Sequence, residues 1–119
     1  MSTVPIRVWA PHAQTVELSV AQERTPLRDA DGEWWEHSPG LPAGTDYAFV
    51  VDGQGPYPDP RSAHQPHGVH GPSRAFDTAA HAWQDQEWAG VDVRGAVIYE
   101  LHVGTFTPGG TLDAAIEKL

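Results

Sequence analysis

The pair of side chains best suited to acid–base chemistry lies near the end of the sequence. Glu100 and His102 are two residues apart in the run AVIYELHV, residues 96–103, so on a strand both would point to the same side. Such a pair could line a ligand-binding site, or it could be a buried polar pair that organises a core through hydrogen bonds. The second interpretation is favoured, because neither residue lies at the end of the run. We therefore assign no catalytic residue.

Three histidines recur at every third position of a Pro- and Gly-rich stretch: His64, His67 and His70. Clustered imidazoles can bind zinc. However, Pro66 and Gly68 prevent a helix here, and neither a cysteine nor a well-spaced carboxylate completes a ligand set. We therefore predict no metal site and no cofactor. The histidines are expected to lie in a loop that packs between two parts of the protein.

Tryptophans are the residues that could contact a sugar. Trp34 and Trp35 are adjacent in a predicted strand, so their side chains face opposite ways. One is expected to fill the core, and the other could stack on a sugar ring or pack against a neighbouring domain. Trp83 and Trp88 are predicted to anchor a connecting segment against an apolar surface. The identity of any substrate-binding residue stays unknown at this stage.

Charge and composition exclude several classes of protein. Seven Lys plus Arg stand against sixteen Asp plus Glu, a formal net charge of −9, and an acidic surface repels phosphate groups. We therefore predict no binding to nucleic acid or to membrane surfaces. The absence of cysteine excludes disulfides. The start MSTVPIRVWAP lacks the features of a signal peptide, and no apolar run approaches the ~20 residues of a membrane span, so a cytoplasmic location is predicted.

Short alternating strands separated by turns fill the first half of the chain. Residues 5–10 and 15–20 alternate between apolar and polar side chains, and the Pro-containing turn between them predicts an antiparallel pair. Residues 33–38 and 45–51 are further predicted strands. Turn signals recur between these strands at Asp31-Gly32, Pro39-Gly40, Pro42-Ala43-Gly44 and Asp52-Gly53. This spacing of strands and turns is typical of a β-sandwich.

The second half of the chain has a different character. From residue 55 it is rich in Pro and Gly, which predicts an extended loop. A last short strand is predicted at residues 73–78, a connector at 79–93 and a domain boundary near residue 90. Residues 96–103 are nearly all apolar, as in a strand buried on both faces of a parallel sheet.

A loop and a helix are predicted to follow that strand. Residues 107–110, Thr-Pro-Gly-Gly, lack the GxxxxGK[ST] pattern of a phosphate loop. Thr111 is the predicted N-cap, and apolar residues then recur at helical spacing: Leu112, Ala115, Ile116 and Leu119. Such a strand cannot stand alone, because its backbone groups need neighbours. We therefore expect residues 96–119 to be disordered, self-associated or paired with another chain.

Three stretches resemble the N-terminal portion of α-amylase superfamily enzymes that begin with an immunoglobulin-like β-sandwich. RVWAPHAQTVELSV (7–20) is similar to the opening strands of that domain, and YAFVVDGQGPYPDPRS (47–62) to its last strands and the segment after them. VIYELHVGTFTPGGTLDAAIEKL (97–119) is similar to the first strand, loop and helix of the catalytic barrel. The loop QPHGVHGPSRAFD (65–77) is most similar to the maltooligosyltrehalose trehalohydrolase group of glycoside hydrolase family 13.

The resemblance implies a mainly β fold in two parts. Residues 1–90 would form an immunoglobulin-like (E-set) β-sandwich, and residues 91–119 the first β-strand, loop and partial helix of a truncated (β/α)8 barrel. A complete barrel needs ~250 residues, more than the 119 of this chain. Starch-binding versions of the sandwich carry a GDFNGW-like stretch. Residues 21–32 read AQERTPLRDADG instead and present no tryptophan there.

The resemblance also implies a function. The parent enzyme would hydrolyse the α-1,4 bond next to the terminal trehalose of maltooligosyltrehalose, an α-glucan oligosaccharide, in trehalose biosynthesis. Retaining glycosidases need two carboxyl groups ~5–5.5 Å apart. The family's carboxylates lie on later barrel strands, so the chain alone is predicted to be inactive. Two alternatives stay open: the N-terminal part of a glycogen branching or debranching enzyme, and a stand-alone carbohydrate-binding or interaction β-sandwich module.

Overall fold

The computed structural model describes residues 3–119, which divide into two compact units between Ala82 and Trp83. The first unit is built from short antiparallel strands, and the second consists of irregular backbone with two short helices. The predicted mainly β class is confirmed. The predicted domain limits, residues 1–90 and 91–119, stay a prediction. No helix within residues 3–119 has the length and apolar character needed to cross a bilayer.

Two antiparallel sheets make up the first unit. In chain order the strands are β1 (Thr3–Trp9), β2 (Val16–Val20), β3 (Glu23–Pro26), β4 (Arg28–Asp29), β5 (Trp34–Pro42), β6 (Asp46–Val51), β7 (Gln54–Tyr57) and β8 (Ser73–Arg74). One sheet has the order β1-β5-β4. The other has the order β3-β2-β6-β7, with β8 paired to β6.

The core of this unit lies between the two sheets, where alternate residues of the strands face inward. Its buried apolar side chains are Ile6, Val8, Val16, Leu18, Leu27, Leu41, Tyr47, Phe49 and Ala75. Trp35 is half-buried and packs against this cluster. Burying one such large side chain contributes roughly 1.5–3 kcal/mol, so this cluster is the main source of stability. The predicted inward faces of β1 and β2 are confirmed.

The predicted pairing of β1 with β2 is wrong. β1 pairs with β5, whereas β2 pairs with β3 and β6 in the other sheet. The residues between β1 and β2 therefore cross from one sheet to the other. Two strands with one apolar face each can bury those faces side by side in one sheet or opposite each other across a core. The alternating pattern is the same in both cases, so it does not encode the partner.

A second prediction, a turn at Pro39-Gly40, is also wrong. β5 continues through these residues to Pro42, and the register with β1 shifts between Val4 and Ile6. Gly40 has a φ of +99°, and a Cβ at this position would lie 2.5 Å from the Val4 carbonyl oxygen. Glycine is therefore required by the close approach of two strands and by the backbone conformation.

The predicted strand at residues 96–103 is wrong for this structure. The backbone is irregular through His102, and Val103 begins a short helix, α1 (Val103–Phe106). Val97 is 94% exposed and Ile98 is 86% exposed. The physical reason is that this strand has no neighbour within residues 3–119: the ladders there join β1 to β8 only.

The predicted helix start at Thr111 is confirmed. α2 spans Leu112–Ile116, and the Thr111 side chain accepts a hydrogen bond from the Ala114 N–H at 3.2 Å. The helix buries Ala115, but the other members of its predicted apolar face, Leu112, Ile116 and Leu119, are each more than two thirds exposed. The N-cap depends on local sequence alone, whereas burial of the face depends on a partner surface.

The two units allow a matched test of the core. Val16→Ala removes two methyl groups from a side chain that is 1% exposed, and Val97→Ala removes them from one that is 94% exposed. We expect Val16→Ala to lower the free energy of unfolding by about 2–3 kcal/mol and Val97→Ala to change it by less than about 0.5 kcal/mol. Urea unfolding measures both. Equal effects would contradict this description of the core.

Candidate binding pocket around the PYPDPRS segment

Asp59 holds the PYPDPRS segment, residues 56–62, onto the sandwich. Its side chain is buried. The Tyr47 hydroxyl donates to Asp59 Oδ2 at 2.6 Å, and the Arg61 backbone N–H donates to Oδ1 at 2.8 Å. The Asp59 backbone N–H in turn donates to Ser73 Oγ at 2.9 Å. These bonds join the segment to β6 and β8 and give the buried carboxylate the partners it requires.

The Tyr47 hydroxyl is held in its neutral, donating form. Burial, and then the hydrogen bond and negative charge of Asp59, raise the pKa of Tyr47 above its usual range. The phenol therefore remains a donor to Asp59 at every pH at which the protein is handled. This contact is structural, because both groups are occupied with each other.

A second polar cluster holds the histidine-containing loop. Arg74 Nε and Nη2 donate to the two Asp46 carboxylate oxygens at 2.6 and 3.0 Å. His67 Nε2 lies 2.9 Å from Asp46 Oδ2. Hydrogen bonds from Arg74 and His67 hold the pKa of Asp46 well below its usual range. The cluster is partly exposed, so its contribution to stability is modest, but it fixes the loop relative to β6.

The two adjacent tryptophans face opposite ways, as predicted. Trp35 packs against the core, and its indole N–H donates to the Ala10 carbonyl at 3.2 Å. Trp34 lies on the outer face of the sheet under two guanidinium groups. Arg7 Cζ is 4.2 Å from the centre of the Trp34 ring, and Arg61 Cζ is 5.4 Å from it. A sugar that stacked on Trp34 would therefore compete with these cations for the ring.

These groups surround a pocket of about 210 Å³ beside the PYPDPRS segment. Its polar lining comes from Arg7, Arg61, Arg74, Tyr47 and Asp59, and Phe76 forms part of its apolar wall. Three positive side chains and one negative side chain therefore line a pocket in a protein whose formal net charge is −9. The composition gave no sign of this local excess, which requires residues from distant segments to meet.

The structure does not bring the predicted acid–base pair into one site. Glu100 and His102 are exposed. His102 caps α1, where its carbonyl accepts from the Phe106 N–H at 3.0 Å, and its Nδ1 lies 3.2 Å from Thr105 Oγ1. The expectation that both line a sugar site or form a buried pair is therefore wrong for this structure, because it required the strand that is not formed.

The other residues with predicted roles have the following places. His64 contacts the ring of Phe76 edge-on, with 5.7 Å between ring centres. Trp83 and Trp88 are 66% and 68% exposed, and their role as anchors against an apolar surface stays a prediction. Within residues 3–119 no group of three or more His, Cys, Asp or Glu side chains is arranged to hold a metal ion.

Known proteins resemble this chain along nearly its whole length. The malto-oligosyltrehalose trehalohydrolase of Arthrobacter ramosus is 54% identical over 94% of the chain, and that of Saccharolobus solfataricus is 35% identical over 98%. The chain is similar to the N-terminal part of malto-oligosyltrehalose trehalohydrolases. It spans about one fifth of the length of these trehalohydrolases: 20% of the first and 21% of the second.

Two further proteins of known name are similar to this chain. The 1,4-alpha-glucan branching enzyme GlgB of Vibrio cholerae is 34% identical over 92% of the chain, which covers 17% of that enzyme. A crystal structure described as a candidate alpha amylase from Salmonella typhimurium matches 99% of the chain with a TM-score of 0.85 and 37% identity, and the chain covers 20% of it. No family model matches the chain.

The Tyr47–Asp59 bond gives stability a pH dependence that can be tested. Tyr47 ionises near pH 10 in the unfolded chain, but its raised pKa keeps it protonated in the folded protein. The free energy of unfolding of the wild type should therefore fall by about 1 kcal/mol for each pH unit above 10. The Tyr47→Phe variant lacks this ionising group, so its free energy of unfolding should not show this part of the fall. Tyr47→Phe should also be less stable at pH 8, by about 1–3 kcal/mol, because the buried Asp59 loses a donor.

Tyr57→Phe is the matched control, because Tyr57 is 48% exposed. Urea unfolding at pH 8 and at pH 11 measures both variants. If Tyr57→Phe alters the alkaline loss of stability as much as Tyr47→Phe does, the assignment of that loss to Tyr47 is wrong.

Proposed function

We propose that this chain is the N-terminal portion of a malto-oligosyltrehalose trehalohydrolase, a glycosidase of the α-amylase family. The complete enzyme would hydrolyse the α-1,4 bond next to the terminal trehalose of maltooligosyltrehalose and release trehalose, with an α-glucan oligosaccharide as its substrate. The observation that carries this proposal is the 54% identity to the Arthrobacter ramosus trehalohydrolase over 94% of the chain. A cytoplasmic location and the absence of nucleic-acid and membrane partners stay predictions.

The sandwich would support the catalytic barrel. In this proposal residues 1–90 form the supporting domain and residues 91–119 the first segment of the barrel. The PYPDPRS segment and the HGVHGPS segment (67–73) would contact the barrel. The hydrogen bonds of Asp59 and the ion pair of Asp46 with Arg74 support this role, because they hold both segments in one shape on β6 and β8.

The catalytic groups would lie in the remaining four fifths of the enzyme. A retaining glycosidase needs a nucleophilic carboxylate and a carboxylic acid ~5–5.5 Å apart, and the acid must stay protonated near neutral pH. Glu100 is exposed on irregular backbone. We therefore expect no hydrolysis by residues 1–119 alone.

A branching enzyme is the second candidate, supported by the 34% identity to GlgB of Vibrio cholerae. Both candidates share the same domain order, so the fold does not separate them. The higher identity to the trehalohydrolases, 35–54% for the relatives compared, favours the first candidate.

The assay that separates these candidates uses the complete protein from the same gene. Incubated with maltooligosyltrehalose, it should release trehalose, and with amylose it should not create α-1,6 branches. The purified 119-residue chain should release no trehalose above background. Branching of amylose without trehalose release would favour the second candidate, and trehalose release by the isolated chain would contradict the proposed role of the sandwich.

Self-association through residues 96–119 is a separate proposal about the isolated chain. Val97, Ile98, Leu112 and Ile116 are each at least 69% exposed, and exposed apolar residues at this density favour association. We expect sedimentation velocity to show concentration-dependent association that Ile98→Asp reduces. Val69→Asp is the control, because Val69 is 65% exposed but lies in the first unit. A monomer at all concentrations would refute the proposal.

A further inference from the structure

Two guanidinium groups at the pocket lack an acidic partner in residues 3–119. Arg24, Arg28 and Arg74 form ion pairs with Glu17, Glu36 and Asp46. No such pair forms for Arg7 or Arg61 within the part of the chain that the structure describes. A guanidinium group is a cation that donates hydrogen bonds in a planar fork and accepts none.

Two carboxylates, one on the neighbouring strand and one in the pocket lining, accept hydrogen bonds from other groups. Glu36 is the cross-strand neighbour of Arg7, yet its Oε2 accepts from Arg28 Nη2 at 2.9 Å. Asp59 lines the same pocket, but its two oxygens accept from the Tyr47 hydroxyl and from the Arg61 backbone N–H. Neither carboxylate forms an ion pair with Arg7 or Arg61 in the part of the chain that the structure describes, and the single charge of Asp59 offsets only part of the positive charge at the pocket.

Both guanidinium groups line one pocket, and both lie near the ring of Trp34. The ring lies within 5.4 Å of both Cζ atoms, and an indole ring attracts a cation over its face. The half-buried Trp34 thus restricts two flexible side chains that both line the pocket. An anion in the pocket would be attracted to both positive charges.

The hydrogen-bonding groups of the pocket decide the class of ligand. The side-chain groups that are not already bonded are mainly guanidinium N–H donors, since Tyr47 and Asp59 are bonded to each other. A sugar offers hydroxyl groups that need acceptors as well as donors, whereas an oxyanion needs donors alone. The volume of about 210 Å³ is below the ~300–1,000 Å³ of pockets that hold drug-sized ligands, which also favours a small ligand.

We propose that this pocket binds a small oxyanion, a carboxylate or a phosphate, between Arg7 and Arg61. Each guanidinium can donate two parallel hydrogen bonds to such a group. The anion has two possible sources: a free ion in solution, or an acidic side chain from a part of the protein beyond these 119 residues. The proposal does not rest on the glycosidase activity, so each can fail without the other.

The first experiment titrates the 119-residue chain with inorganic phosphate, and separately with acetate, at pH 7 and constant ionic strength. Nitrogen–proton NMR correlation spectra report on the Trp34 indole N–H and on Arg7 and Arg61 Nε–H. We expect saturable shifts at these groups with a dissociation constant of about 1–10 mM, which corresponds to roughly 3–4 kcal/mol of binding free energy. Absence of saturable shifts up to about 50 mM of either ion would overturn the proposal.

Substitutions test which residues bind the phosphate. Arg7→Gln combined with Arg61→Gln should weaken phosphate binding at least about tenfold, because hydrogen bonds to charged groups are lost. Arg94→Gln combined with Arg24→Gln removes the same amount of charge away from the pocket lining and should change affinity less than about twofold. If the first pair prevents folding, Arg61→Lys retains the charge but loses the planar fork, and it should weaken binding severalfold. Equal weakening by both double variants would show non-specific attraction and would refute the site.

The complete protein distinguishes the two sources. If phosphate binds the complete protein with the affinity that it has for the 119-residue chain, the pocket is open to a free anion. If phosphate does not bind, and the Arg7→Gln and Arg61→Gln pair lowers the melting temperature more than the Arg24→Gln and Arg94→Gln pair, a carboxylate of the protein itself occupies the pocket. If the complete protein shows neither phosphate binding nor this selective destabilisation, the proposal is wrong.

Discussion

The buried carboxylate of Asp59 is the contact on which the arrangement of the loops depends. A carboxylate that is removed from water loses its hydration, and the free-energy cost is large unless hydrogen bonds replace the lost water. Asp59 meets this requirement with the Tyr47 hydroxyl from β6 and the Arg61 N–H from its own segment, while its backbone N–H donates to Ser73 of β8. One residue therefore joins an irregular segment to two strands that are distant from each other in the sequence.

The position of Arg61, and with it the pocket, follows from this contact. Arg61 lies two residues after Asp59, and its N–H is held by the Asp59 carboxylate. Its guanidinium then approaches Trp34 of β5, where Arg7 of β1 already lies. The local excess of positive charge is thus a product of the fold and occurs within a chain of formal net charge −9. Overall charge predicts long-range attraction or repulsion, but it does not predict the charge of a single pocket.

The two units differ in how far they bury their apolar residues. In the first unit Val16, Leu18 and Phe49 are almost completely buried between two sheets, whereas in the second Val97 and Ile98 are almost completely exposed. A large exposed apolar surface is typical of a surface that other protein covers. This agrees with the relatives, of whose length the chain spans about one fifth. The stability of the chain therefore comes from the sandwich.

The sequence by itself determined the features that depend on local pattern. Alternation identified the inward faces of β1 and β2, turn residues separated most of the strands, and Thr111 marked the start of α2. The ordered motifs also identified the relatives. Only the tertiary structure decided that β1 pairs with β5 rather than β2, and that residues 96–103 do not form a strand. It alone brought Arg7, Trp34 and Arg61 together. The reason is physical: pairing, burial and charge clustering depend on which distant segments meet, and local alternation is the same for several such arrangements.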